Sequence, residues 1–321
     1  MLSLQIVKME INSILLLFSG LIVLVLGANF LLKSAVSISL KFKIPRLLIG
    51  LTVVSLATSA PELIISIKSA LIGSPDLSIS NVLGSNIANI GLVLGLTVFL
   101  SPIKITKDIY KYDWPIMMFS AIYFFIIISD KIINSYEGVI LVCLLITTIY
   151  FLIKKQHNSE EDIDLEVKPI ESMSQALLFL IVGGIFLYLG SDWFISGAMS
   201  IANSIGISER IIGITVVSIG TSIPELATSM VAIFNKEKGI SLGNLLGSNI
   251  FNVFAVLGIT SIITPLTVSD LNIVNFDIYV MLLFSAIIFP LFFYPKKLEL
   301  GRIEGIMILS FYSFYILYII K

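Results

Sequence analysis

The chain has 321 residues, 57% hydrophobic and 13% charged, with a mean hydropathy of +1.04 and a formal net charge of −1. A soluble domain carries about 25% charged residues, so this supply excludes an ordinary water-facing surface and points to a protein embedded in a bilayer. A single cysteine, Cys143, and a single histidine, His157, exclude an internal disulfide and leave no basis for a soft-metal centre.

The first apolar segment, near 11–40, runs past the length of a signal-peptide core and lacks a small-residue cleavage pattern, so it reads as a retained helix. Apolar segments near 46–73, 77–100, 112–129 and 136–153 follow, each able to cross the hydrocarbon core once polar ends snorkel. The connection 154–173 holds Glu160, Glu161, Asp162, Asp164, Glu166 and Glu171 but no D-x-D-x-D-G calcium loop, and reads as a solvated linker. Five more segments lie near 174–203, 209–235, 240–263, 275–294 and 302–320.

These segments repeat. A shift of 163 residues lays Gly50–Glu62 (GLTVVSLATSAPE) on Gly213–Glu225 (GITVVSIGTSIPE), identical at 9 of 13 positions. The same shift lays Asn81–Asn89 (NVLGSNIAN) on Asn244–Asn252 (NLLGSNIFN), identical at 7 of 9. One offset held over such distances marks a duplication. The predicted organisation is a five-helix repeat in 1–153, the linker 154–173, and a second repeat in 174–321. An odd number of spans per copy inserts the second copy upside down. The expected fold is thus all-α and integral to the membrane, with ten transmembrane helices in two inverted repeats and with helices 2, 3, 7 and 8 broken. Connections after the odd-numbered spans hold 14 Lys and Arg, and the other side holds only Lys8, Lys131, Arg210 and Lys321. The positive-inside rule places the richer side in the cytoplasm and both termini outside, in a multi-pass inner-membrane protein.

Two features resist explanation as lipid-facing packing. Glu62 and Glu225 fall in mid-span at equivalent positions, where a charge costs at least ~2.5–3.5 kcal/mol. No lysine or arginine occupies a mid-span position to pair with them, and the simplest missing partner is a transported cation. Before each glutamate stands a hydroxyl-rich stretch ending in proline: Ser55, Thr58, Ser59, Pro61, and Ser218, Thr221, Ser222, Pro224. Proline breaks the helix and frees backbone carbonyls, and hard cations such as Na⁺ and Ca²⁺ take oxygen ligands of these kinds. Ser85 and Ser248, in G-S-N triplets, add hydroxyls, and Asn89 and Asn252 follow one turn later on the same face. Taken singly, a G-S-N triplet reads as helix packing, a proline kink as structure, and a membrane glutamate as a protonated packed side chain. Their pairing at one offset favours an ion site. Asp192, opposite Asn29 in the repeat, lies outside both blocks and is expected to make a structural hydrogen bond.

These blocks resemble the signature repeats of the cation/calcium exchanger superfamily, closest to the prokaryotic sodium/calcium exchangers, across essentially the whole chain. The proton/calcium branch typically carries G-N-x-x-E where this chain has G-S-N-I-x-N. The resemblance implies that Glu62 and Glu225 are central ligands, with calcium held by Glu62, Glu225, Thr58 and Thr221. It implies flanking sodium sites at Thr58, Ser59, Ser85, Thr221, Ser222 and Ser248, a centre closed by Asn89 and Asn252, and help from the carbonyls of Ser55 and Ser218. Some relatives, potassium-dependent ones among them, have aspartate where Asn252 stands, so asparagine there implies potassium independence. The implied activity is Na⁺/Ca²⁺ exchange by alternating access, extruding Ca²⁺, with a proton/divalent antiporter as the alternative and a cation channel behind it. No resident cofactor, nucleic acid or obligate protein partner is expected, only Na⁺, Ca²⁺ and the bilayer. With its one histidine in a loop, the chain lacks the pairings that an intramembrane enzyme needs.

Overall fold

The computed structural model describes residues 2–156, 169–170, 172–204 and 218–320. Most of the acidic linker and the first part of the seventh expected segment, 209–217, lie outside the described residues.

The elements in chain order are α1 (Leu2–Phe42), α2 (Arg46–Thr58), α3 (Ala60–Leu71), α4 (Pro75–Leu100), α5 (Trp114–Ile127), α6 (Ser135–Gln156), α7 (Met173–Ser204), α8 (Ser218–Thr221), α9 (Ile223–Phe234), α10 (Lys238–Ile263), α11 (Ile273–Leu291) and α12 (Arg302–Ile320). Among the described residues, seven helices are long and apolar enough to cross a membrane, or eight if the bent pair α2–α3 is one span. The protein is therefore an all-helical, multi-span membrane protein. The strands among the described residues are four two-residue pieces, β1 (Ile103–Lys104), β2 (Ile132–Ile133), β3 (Leu266–Thr267) and β4 (Glu299–Leu300). They tie loops of one half to loops of the other: β1 pairs with β4 and β2 with β3, both antiparallel.

Burial separates a centre from a rim. The most apolar stretches of α4 and α10 are 78% and 83% buried, whereas those of α6 and α7 are only 17% and 22% buried. The two helices with the G-S-N blocks thus form the core, and exposed residues such as Ile146, Ile181 and Phe314 present an apolar rim suited to lipid. Glycine permits the close crossings. Gly27 of α1 lies against the Gly183 carbonyl of α7, and Gly20 against that of Gly190, so an added Cβ would strike backbone. Pairings between α1 and α7 step in opposite directions, from the Ser13–Ser200 bond (2.6 Å) to the Ser34–Ala176 bond (2.7 Å), so the two helices run antiparallel. Gly50 of α2 meets Gly243 of α10 in a second close crossing.

The expected breaks are found in one pair of places and not in the other. α2 and α3 meet at Ser59 with a bend of 42°, Pro61 standing in the first turn of α3, and Ser222 adopts nearly the same backbone angles before Pro224. The third and eighth expected helices are not broken: α4 and α10 are continuous, each widened by a π-helical stretch, Asn89–Leu94 and Asn252–Leu257. Neither helix contains an interior proline, so every backbone N–H stays available and a wide turn absorbs the irregularity without a break. Both π stretches begin at the expected asparagines.

Candidate ion site

Glu62 and Glu225 are both fully buried. Each sits in the first turn of its helix, α3 or α9, directly after the proline that starts it. Both Glu62 carboxylate oxygens and Oε2 of Glu225 have no hydrogen-bond partner. Oε1 of Glu225 accepts the Ser248 hydroxyl at 3.2 Å and the Ser59 hydroxyl at 3.4 Å, the latter from the opposite half of the chain. Among the described residues, no lysine or arginine pairs with either carboxylate. A buried carboxylate without a partner keeps its full desolvation cost, so this arrangement is suited to a group that supplies positive charge.

The hydroxyls expected from the sequence gather here in matched pairs. Thr58 lies 3.2 Å from Ser248, and Thr221 lies 3.0 Å from Ser85. Ser222, the counterpart of Ser59, is buried with no partner for its oxygen. Asn89 and Asn252 are fully buried, and in both the side-chain carbonyl oxygen has no partner. α3 packs against the π stretch that Asn252 opens, and α9 against the one that Asn89 opens. The structure therefore joins Glu225, Ser59, Ser248 and Thr58 through hydrogen bonds, pairs Thr221 with Ser85, and buries Glu62, Ser222, Asn89 and Asn252 on elements packed against one another.

The Ser55 carbonyl accepts the Ser59 N–H at 2.9 Å and keeps a second lone pair, while proline at 61 releases the carbonyl four residues back, at Ala57. The Ser55 hydroxyl straps α2 to α10 through the Asn244 carbonyl at 3.0 Å. Ser218 opens α8, and its side chain lies outside the described residues. Asp192 is exposed on α7, and among the described residues no hydrogen bond is found for it. The adjacent residue, Ser191, makes one: its hydroxyl donates to the Gly220 carbonyl at 3.0 Å, the one that Pro224 releases.

A supporting layer of asparagines lies behind these residues, of which the sequence points to Asn86 and Asn249 through the G-S-N triplets. Asn81 donates to Ser66 at 3.1 Å, and its counterpart Asn244 donates to Ser229 at 3.4 Å while accepting the Thr58 hydroxyl at 3.0 Å. Asn89 donates to the side-chain oxygen of Asn249 at 3.2 Å, and Asn252 to that of Asn86 at 3.1 Å. The signal for the others was present as well, because Asn81 and Ser66 also recur at the 163-residue offset.

A helical membrane core with paired buried carboxylates among hydroxyl and amide oxygens has the chemistry that a cation-transporting membrane protein requires. A family model described as "Sodium/calcium exchanger protein" matches residues 12–154 and 175–321, and the chain belongs to that family. It is 34% identical to the "Putative antiporter CaxA" of Alkalimonas amylolytica, over 90% of this chain and 93% of that protein. It is 31% identical to the "Sodium/calcium exchanger MaX1" of Methanosarcina acetivorans, over 93% of this chain and 95% of the relative. Its similarity to the "Inner membrane protein YrbG" of Escherichia coli is 34% identity over 91% and 92%. A solved structure of the sodium-calcium exchanger NCX_Mj, soaked with Na⁺ and Ca²⁺, superposes with a TM-score of 0.81 at 31% identity, covering 95% of this chain and 97% of that one.

Proposed function

We propose that the protein exchanges Na⁺ for Ca²⁺ across the inner membrane by alternating access, with Glu62 and Glu225 as the central cation ligands. The observation that carries this reading is the pair of fully buried carboxylates, three of whose four oxygens have no protein partner. Two carboxylates balance one Ca²⁺ or two Na⁺, so the two loads compete for one centre. Thr58 and Thr221 complete the calcium position, and Ser59, Ser85, Ser222 and Ser248 with the two asparagines serve sodium. A core without cations keeps bare carboxylates and does not cross, which enforces exchange. An inward sodium gradient then drives Ca²⁺ out.

The architecture behind this mechanism is ten spans in two inverted repeats, with both termini outside and 154–173 in the cytoplasm. Support comes from the antiparallel course of α1 and α7, which stand at equivalent places in the repeat. The reciprocal pairing of β1 with β4 and β2 with β3 supports it as well. The glycine-lined α1–α7 pair is suited to sliding over the core formed by α4 and α10.

Uptake of ⁴⁵Ca²⁺ into sodium-loaded proteoliposomes, with and without a proton ionophore, tests the coupling. The expected result is uptake that requires the outward sodium gradient and ignores the ionophore. Uptake driven by a pH gradient without sodium would replace this reading with proton/divalent antiport.

A further inference from the structure

An asparagine side chain facing a cation has a right and a wrong way round, since its oxygen attracts the ion and its NH₂ repels it. Asn89 and Asn252 both have the carbonyl oxygen left without a partner and the NH₂ engaged. The groups that hold them decide this. Asn86 points its NH₂ at the backbone carbonyl of Asn249 (3.3 Å) and at the thioether sulfur of Met281 (3.8 Å). Neither acceptor is able to donate, so the Asn86 amide has one orientation, with its oxygen toward Asn252. That oxygen takes the Asn252 NH₂ at 3.1 Å, and the Asn252 oxygen is turned away from it. On the other side a relay anchored by the sulfur runs from Met117 (3.7 Å) to Asn249 and from Asn249 to Asn89 (3.2 Å). All four asparagines are buried, so water offers no competing partner.

We propose that Asn86 and Asn249 are positioning residues of the ion site, which fix the polarity of Asn252 and Asn89 so that both present oxygen to the transported cation. Each acts across the boundary between the two halves of the chain, so each copy of the repeat sets the ligand of the other. The proposal rests on the reading of Glu62, Glu225, Asn89 and Asn252 as the cation centre.

The test separates orientation from packing. In Asn249→Leu the Asn89 amide loses the acceptor that holds it and is free to turn its NH₂ toward the centre. The apparent KM for Ca²⁺ in proteoliposomes is expected to rise about tenfold or more, in the range found when a residue that orients a metal ligand is removed, with kcat changed little. Adding Asn89→Asp supplies a carboxylate, which presents oxygen whichever way it turns. The double variant Asn249→Leu/Asn89→Asp is therefore expected to return to within about threefold of the KM of Asn89→Asp alone, because sites coupled in this way are non-additive. A KM unchanged in Asn249→Leu overturns the proposal. So does a rise that Asn89→Asp does not relieve, since Asn249 would then act by packing. If Asn249→Leu does not fold, Met117→Leu, a volume-conserving change, removes the sulfur anchor alone, and an unchanged KM there overturns the proposal. Coupling to protons instead of sodium leaves the prediction standing, because KM for Ca²⁺ is the readout. A wild type that moves no Ca²⁺ overturns both.

Discussion

Glu62 and Glu225 end thirteen-residue blocks identical at 9 positions, yet the two halves use them differently. Glu225 is held, its Oε1 taking hydroxyls from Ser248 and from Ser59 of the opposite half. Glu62 has no hydrogen bond to either oxygen, and Ser222, which stands in relation to it as Ser59 does to Glu225, also has an oxygen without a partner. A second difference lies behind the helix breaks. The Gly220 carbonyl, released by Pro224, takes the Ser191 hydroxyl at 3.0 Å, whereas the position equivalent to Ser191 in α1 is Ala28. Repetition of sequence therefore does not impose repetition of hydrogen bonding. One carboxylate is braced by its own protein, and the other has both oxygens uncommitted.

The largest effect expected is common to both halves. Glu62→Gln and Glu225→Gln each remove half of the charge at the centre, and Ca²⁺ transport is expected to fall roughly a hundredfold or more in either. Their thermal melts in cation-free detergent are expected to differ. Glu62→Gln relieves a buried carboxylate that no side-chain hydroxyl meets and should raise Tm more than Glu225→Gln, whose carboxylate already has two hydroxyl donors. Equal melts would erase the distinction between the two carboxylates.

The serines sharpen it. Ser248→Ala removes a hydrogen bond to a carboxylate and is expected to destabilise the protein by roughly 2 kcal/mol while weakening transport. Ser222→Ala removes a hydroxyl with no partner in the fold, so it is expected to weaken cation affinity while leaving Tm in place. A loss of stability in Ser222→Ala equal to that in Ser248→Ala would contradict the comparison.

What the sequence made legible follows from these differences. The offset of 163 residues exposed the glutamates, hydroxyls and asparagines, because a duplication leaves matched residues at one spacing. Pro61 announced the bend at Ser59 through chemistry local to one turn. The sequence leads one to expect broken third and eighth helices, whereas α4 and α10 are continuous through π stretches, because nothing in the side chains there distinguishes a wide turn from an interrupted helix. The relay from Met117 through Asn249 to Asn89 was hidden for another reason: it links α5, α10 and α4, and hydrogen bonds between distant segments leave no spacing to read. The brace of Ser55 on Asn244 is hidden in the same way.

Smaller effects remain. Asn252→Asp would add a third carboxylate beside Glu62 and Glu225, so the new group stays protonated, with flux falling as pH rises, or holds another cation, with flux becoming sensitive to K⁺; the wild type is expected to be indifferent to K⁺. A wild type that needs K⁺ would remove Asn252 from the centre. Ser191→Ala should cost about 1 kcal/mol, the value of one ordinary hydrogen bond, and Ala28→Ser tests whether the missing brace is able to form in the other half. No change in Tm for Ser191→Ala would make that brace irrelevant.

The most direct test is equilibrium binding of ⁴⁵Ca²⁺ to the purified protein in detergent, titrated with Na⁺, in the wild type and in Glu62→Gln. The expected result is Ca²⁺ bound by the wild type, displaced by Na⁺ more steeply than first order as two sodium ions replace each calcium, and lost in Glu62→Gln. Calcium binding that survives in Glu62→Gln, or that Na⁺ fails to displace, would contradict a centre built on the two buried carboxylates.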